Sequence, residues 1–85
     1  MANSKTEYRA TINKDTLKKW NGVVRVWDKP QSAVEGAEVV DKITEPIEVS
    51  VVEEQKGMYG STVQRVKIVY GSKQGWVLAD AISKI

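Results

Sequence analysis

Lys18, Lys19, Trp20, Arg25, Trp27 and Lys29 all fall within residues 18–29. Indole rings set among cations can stack on a sugar, a base or a peptide side chain. The guanidinium and ammonium groups can meanwhile pair with carboxylates or phosphates. The alternative is that Trp20 packs on the end of the fold and the charges are simply solvated. Tyr59, between Gly57 and Gly60, would offer contact area at small rotamer cost from a loop; a loop packed on itself is the equal alternative. Tyr70 and Trp76 bracket the stretch Gly71-Ser72-Lys73-Gln74-Gly75. For Trp76 a structural role stands level with a ligand role, since one Trp buries a large area and dominates a small apolar cluster. The candidate ligand-binding residues are therefore Trp20, Arg25, Trp27, Tyr59, Tyr70 and Trp76.

Catalytic chemistry finds little to work with. The chain has no Cys and no His, which removes Ser–His and Cys–His pairs and the usual neutral-pH acid–base group. Glu53 and Glu54 are adjacent in a predicted strand and point to opposite faces, so they cannot form a glycosidase pair. Glu35, Glu38, Asp41, Glu45 and Glu48 are acidic and close in sequence but match no calcium-loop spacing. They read as a solvated acidic face. Gly57 and Gly60 do not make a phosphate-binding glycine motif. The expectation is a non-enzymatic protein with no metal and no cofactor.

The elements that must position these side chains are short. With 85 residues, 41% of them hydrophobic and 28% charged, the chain makes one small domain and argues against disorder. Residues 1–29 carry a net charge of +4, residues 30–54 carry −6, and residues 55–85 carry +4. This basic–acidic–basic layout disfavours a dedicated nucleic-acid binder, which shows an unopposed basic face. It suits segments or subunits that attract one another. No apolar run approaches the roughly 18–20 residues of a membrane span. The N-terminus is polar and lacks the apolar core of a signal peptide, so the expected location is cytoplasmic as synthesised. A virion or phage-like particle is a second context, since assembly and lysis need no signal peptide.

Thr6–Ile12 alternates, with Tyr8, Ala10 and Ile12 on one face, as in a half-buried strand. Asn13 or Asp15 can cap a single helical turn carrying Leu17 and Trp20, which Asn21-Gly22 would stop. Strands are expected at Val23–Trp27, ended by Pro30, and at Val39–Ile43. A third covers Ile47–Glu54, with Ile47, Val49 and Val51 inward. Val63–Tyr70 follows, with Val66, Ile68 and Tyr70 inward, and Gly75–Leu78 is the last. Residues 71–75 read as a tight hairpin connection, and Ala79–Ile82 as one 3₁₀-like turn. Many short strands between Gly/Pro turns predict a small all-β barrel. Its open edges would leave backbone groups unpaired. Thr6–Ile12 is then free to cover one of them or to join a neighbouring subunit's sheet.

Three stretches resemble the bacterial SH3 (SH3b) family. Val24-Arg25-Val26-Trp27-Asp28-Lys29-Pro30 is similar to that family's early strand and loop. Ile47–Glu53 is similar to its central strand. Lys67-Ile68-Val69-Tyr70-Gly71-Ser72-Lys73-Gln74-Gly75-Trp76-Val77 is similar to its Lys-Val-x-Tyr strand, glycine turn and Gly-Trp-Val. Together they cover about residues 23–82. Trp27 stands where the family usually has Arg, Lys29 where it has Gly, and Arg65 where it has Trp. The family's ligand residues therefore do not transfer securely.

The resemblance implies an SH3-like β-barrel of five to six short strands over residues 23–85. Residues 1–22 would be an N-terminal extension, a strand plus a basic turn. It also implies a binding module whose ligand is a peptide, a peptidoglycan (cell-wall) fragment or a partner protein. The alternative is a structural or assembly subunit, in a phage or phage-like particle for example, that self-associates through the same surfaces.

Overall fold

The computed structural model describes residues 3–30, 34, 36–56 and 63–85. Among them are seven strands: β1 (Asn3–Ile12), β2 (Val24–Trp27), β3 (Val39–Ile43), β4 (Ile47–Lys56), β5 (Val63–Tyr70), β6 (Lys73–Leu78) and β7 (Ser83–Lys84). One short helix, α1 (Lys14–Lys19), follows β1, and a 3₁₀ turn, Ala79–Ala81, follows β6. All described strand pairs are antiparallel, in the order β3-β2-β6-β5-β4-β1-β7. The chain is thus all-β. Its sheet is barrel-like but does not close, because β3 and β7 are edges.

Alternation becomes packing in β1, β4 and β5. Ala10, Ile12, Val49, Val51, Val66 and Ile68 are all buried in one core, which Val24, Val26, Ile43 and Val77 complete. The chain has no Phe, so compact β-branched side chains fill this interior; they suit a pleated surface. Tyr8, Trp20 and Ile47 pack against its margin. The sheet curls tightly enough that Tyr70 on β5 donates its hydroxyl proton to Asp41 Oδ2 on β3 at 2.7 Å, although those strands lie three places apart.

The N-terminal strand joins this same sheet. β1 runs beside β4 from Asn3↔Gln55 to Ile12↔Ile47, with one irregularity between Lys5 and Tyr8. Its other side receives β7 through Ala10↔Lys84 and Thr11↔Ser83. One side of the strand is therefore engaged along its length, and the other at its C-terminal end.

α1 forms where its caps allow. Asn13 Oδ1 accepts from the Thr16 N–H at 2.9 Å, which satisfies one of the free donors of the first turn. Asp15 lies in the first turn and Lys18 and Lys19 in the last, matching the helix dipole. Asn21 (φ 59°) and Gly22 (φ 84°) then turn left-handed, which ends the helix and aims the chain into β2.

Four local readings are corrected. The β5–β6 connection is only Gly71-Ser72, flanked by the pair Tyr70↔Lys73. Gly71 alone is left-handed (φ 60°), as in a type II′ hairpin turn. Lys73 and Gln74 belong to β6 instead of the turn, and Gly75 lies within the strand as its place in Gly75–Leu78 predicts. β4 continues past Glu54 to Lys56. β2 begins at Val24 instead of Val23, and β7 is an additional strand.

Candidate functional site

Trp20, Val23, Val24, Arg25, Trp27, Leu78 and Ala81 line one cleft of about 120 Å³. Three elements meet there. The end of α1 delivers Trp20, whose backbone N–H donates to Thr16 O and Leu17 O at 3.1 Å each. β2 turns Val24 and Val26 into the core, so Arg25 between them is exposed on the outer face. Trp27 is half-buried on that outer face, in register with Trp76 of β6. Leu78, 38% exposed, and Ala81 close the cleft from the end of β6 and the 3₁₀ turn.

Trp20, Arg25 and Trp27, read from the sequence as contact residues, are therefore brought together. The rest of that set is not. Trp76 is buried, yet it lies outside the core cluster and does not line the cleft. It faces outward, paired with Lys67 on β5 and Trp27 on β2. Tyr70 is also buried and belongs to the core. It lines a separate, open concavity with Asp41, Ile43, Pro46 and Lys73, at the opposite end of β6 from Leu78. Tyr59 lies outside the described residues.

Two residues escaped the sequence reading. Leu78 sits three residues before Ala81, and only the β2–β6 pairing brings both beside Arg25. Gln55 is 97% buried: its relative exposure is 3%. It faces outward, opposite Arg65, and its Nε2 donates to the Pro30 carbonyl at 2.7 Å. The chain leaving β2 is thereby held against the outer face of the sheet. The base of that segment is tied by Asp28 N–H to Glu38 O at 3.0 Å and Glu38 N–H to Asp28 Oδ1 at 2.9 Å. A polar Gln in a strand gives no sequence signal of burial.

The electrostatics separate the cleft from the Tyr70 end. At that end, Asp41 accepts from Tyr70 and lies 3.4 Å from Lys73 Nζ. The Tyr70 hydroxyl, with help from the Lys42 backbone N–H, holds the Asp41 carboxyl below its usual range. Burial, reinforced by Asp41, pushes the Tyr70 phenol well above its usual range. Tyr8 donates to Glu54 at 3.0 Å and is pushed up to about 12, by burial first and then by Glu54. Trp20 Nε1 is buried without an acceptor, so the ring meets the cleft through its carbon surface. Among the described residues, no group of three acidic side chains could hold a metal ion, and no helix is long and apolar enough to cross a membrane.

A pH dependence follows from these pairs. A phenol raised in the folded state keeps its proton while the unfolded chain ionises near pH 10. Stability is full below that pH and is lost as pH rises toward 12 and beyond. The lowered Asp41 contributes stability above about pH 3.9, which is lost as pH falls through its folded value. Urea midpoints across pH are expected to drop on both limbs. Tyr70→Phe should flatten the Tyr70 share of each; limbs unchanged in that variant would contradict the pairing.

Comparison of the chain with known protein families, with curated proteins and with solved structures finds no match.

Proposed function

We propose that the chain is a non-catalytic, SH3-like binding module that takes a peptide segment across the Trp20–Arg25–Trp27–Leu78 cleft. The observation that carries this reading is the size and lining of the cleft. Pockets for whole small ligands and cofactors are roughly 300–1,000 Å³. About 120 Å³ accepts little more than one apolar side chain; an engineered cavity of about 150 Å³ holds a benzene. A ligand this cleft can recognise is a chain that lies across the outer face and inserts one residue. Trp27 and Leu78 would grip that residue, and Arg25 would meet its polar neighbours. The stretches similar to bacterial SH3 domains support the same class, and a cell-wall stem peptide, free or within peptidoglycan, is one such ligand.

The assembly reading draws less support. β1, the strand open to a neighbouring subunit, is paired along its length with β4; on its other side β7 covers only Ala10 and Thr11, and the strand carries an irregularity between Lys5 and Tyr8. The β3 edge is interrupted, since two steps on β3 answer one on β2 between Val26↔Asp41 and Trp27↔Val39. β7 is two residues long. Bulged and very short edges resist sheet-to-sheet pairing.

Titration of the isotopically labelled protein with muropeptides and with intact sacculi tests the reading. The Trp20 and Trp27 indole signals are expected to shift together on peptide addition. Indoles that stay fixed while the protein is retained by sacculi would place binding elsewhere on the surface.

A further inference from the structure

Arg25 and Lys42 stand directly opposite each other on β2 and β3, so both project from the same outward face, and both are exposed. Like charges in opposed positions destabilise a sheet. Among the described residues neither has a carboxylate partner; the ion pairs there are Arg9–Glu48 and Lys73–Asp41. Asp41, the neighbour of Lys42, pairs with the inward Val26 and is already engaged by Tyr70 and Lys73. Lys18 and Lys19 are exposed immediately before Trp20 at the cleft rim. Asp28 and Asp80, both exposed, adjoin the cleft-lining Trp27 and Ala81 in sequence, and Asp28 accepts from the Glu38 N–H. Two cations thus stand side by side with no carboxylate partner among the described residues, one of them in the cleft lining.

We propose that the ligand of the cleft is an acidic peptide segment. One of its carboxylates bridges Arg25 and Lys42, and an adjoining apolar side chain enters between Trp20, Trp27 and Leu78. This deepens the peptide-binding reading and rests on it. The bridging carboxylate turns a repulsive pair into an attractive triad, and Arg25 supplies the planar, two-pronged donor that carboxylates favour. A long polyanion is a poorer fit. Residues 30–54, which supply Lys42, carry −6, whereas nucleic-acid binders line up many phosphate contacts.

The full chain would be titrated by NMR with a short end-blocked peptide of Glu-Glu-Leu repeats, its Gln-Gln-Leu and Lys-Lys-Leu counterparts, and a short DNA single strand. The acidic peptide is expected to shift the Trp20 and Trp27 indoles and to bind roughly tenfold tighter than the Gln peptide, with the advantage shrinking in salt. Arg25→Gln and Lys42→Gln should each weaken it about two- to fivefold, the range of one exposed charge pair. Each should also raise the melting temperature by about 2 °C, because the opposed cations are relieved. That opposite movement of affinity and stability is not what a misfolded variant gives.

Equal binding of the Gln peptide at the same indoles, or wild-type affinity in both variants, would overturn the acidic preference and leave the cleft reading standing. DNA that displaces the peptide from those indoles at lower concentration would overturn it in favour of phosphate. No indole shift with any peptide would remove both the preference and the cleft.

Discussion

Gly75→Ala is expected to destabilise the protein by about 2 kcal/mol, within the range for overpacking a filled interior. A methyl group built on Gly75 would collide with Val26 Cγ1 and come within 3.0 Å of the Trp27 carbonyl oxygen. Val26 is completely buried and cannot swing aside. The Trp27 carbonyl is fixed by the β2–β6 pairing at Trp27↔Trp76. Against this, Ala in place of a strand-interior Gly gains roughly 0.5–1 kcal/mol, which the collision exceeds. The positive-φ glycines Gly22 and Gly71 have open space where a Cβ would go, so substitutions there would feel only backbone strain.

A double-mutant cycle with Val26→Ala isolates the cause. Removing Cγ1 opens room for the new methyl, so the double variant should be more stable than the summed single losses by at least about 1 kcal/mol. The carbonyl contact would keep the rescue partial. Urea midpoints give all four corners; additive losses would mean that β2 and β6 approach less closely than described.

That glycine also shows where sequence patterning stops. Gly75 reads both as the end of the turn and as the first residue of the last strand; the turn ends at Ser72, and Gly75 serves the approach of another strand. Nothing local distinguishes the two roles. Period-two alternation did place Ala10, Ile12, Val49, Val51, Val66 and Ile68 inward, because a strand with one wet face must alternate. It could not place Gln55. The register shift between Val51 and Glu53 resets which residues face outward. There Gln55 is buried and donates to the Pro30 carbonyl of the chain leaving β2, a long-range contact that no local pattern announces.

The cleft was legible for a similar reason and to a similar depth. Trp20, Arg25 and Trp27 are joined by one short helix end and the start of β2, so their proximity is local. Leu78 and Ala81 arrive through long-range pairing. Tyr70 and Trp76 flank the same hairpin. Alternation sends Tyr70 inward, to Asp41, and Trp76 outward, so adjacency across a turn did not imply a shared surface.

Trp27 and Trp76 are cross-strand partners on one face, yet their truncations should act on different quantities. Trp76 is only 6% exposed, and Trp76→Ala should remove about 3–5 kcal/mol of stability. That is a large share of what a domain of this size holds. Trp76→Phe should restore much of it by keeping an aromatic body in place. Trp27 is half-buried and borders the cleft. Trp27→Ala should leave the urea midpoint within about 1 kcal/mol of wild type while weakening the acidic peptide roughly thirtyfold or more, the scale of an interface hot spot of about 2 kcal/mol. Affinity must be measured at a temperature where both variants are folded, so that a lost fold is not scored as a lost contact. Global unfolding by Trp27→Ala, or a binding loss in folded Trp76→Phe as large as in Trp27→Ala, would exchange the two assignments. The ligand would then lie over β6 and β5, where Lys67 and Arg65 face outward, and not over the β2–β3 rung. The contrast is informative because the two rings share register and face. What separates them is burial: Trp76 is almost fully covered, whereas Trp27 is half-exposed beside the cleft.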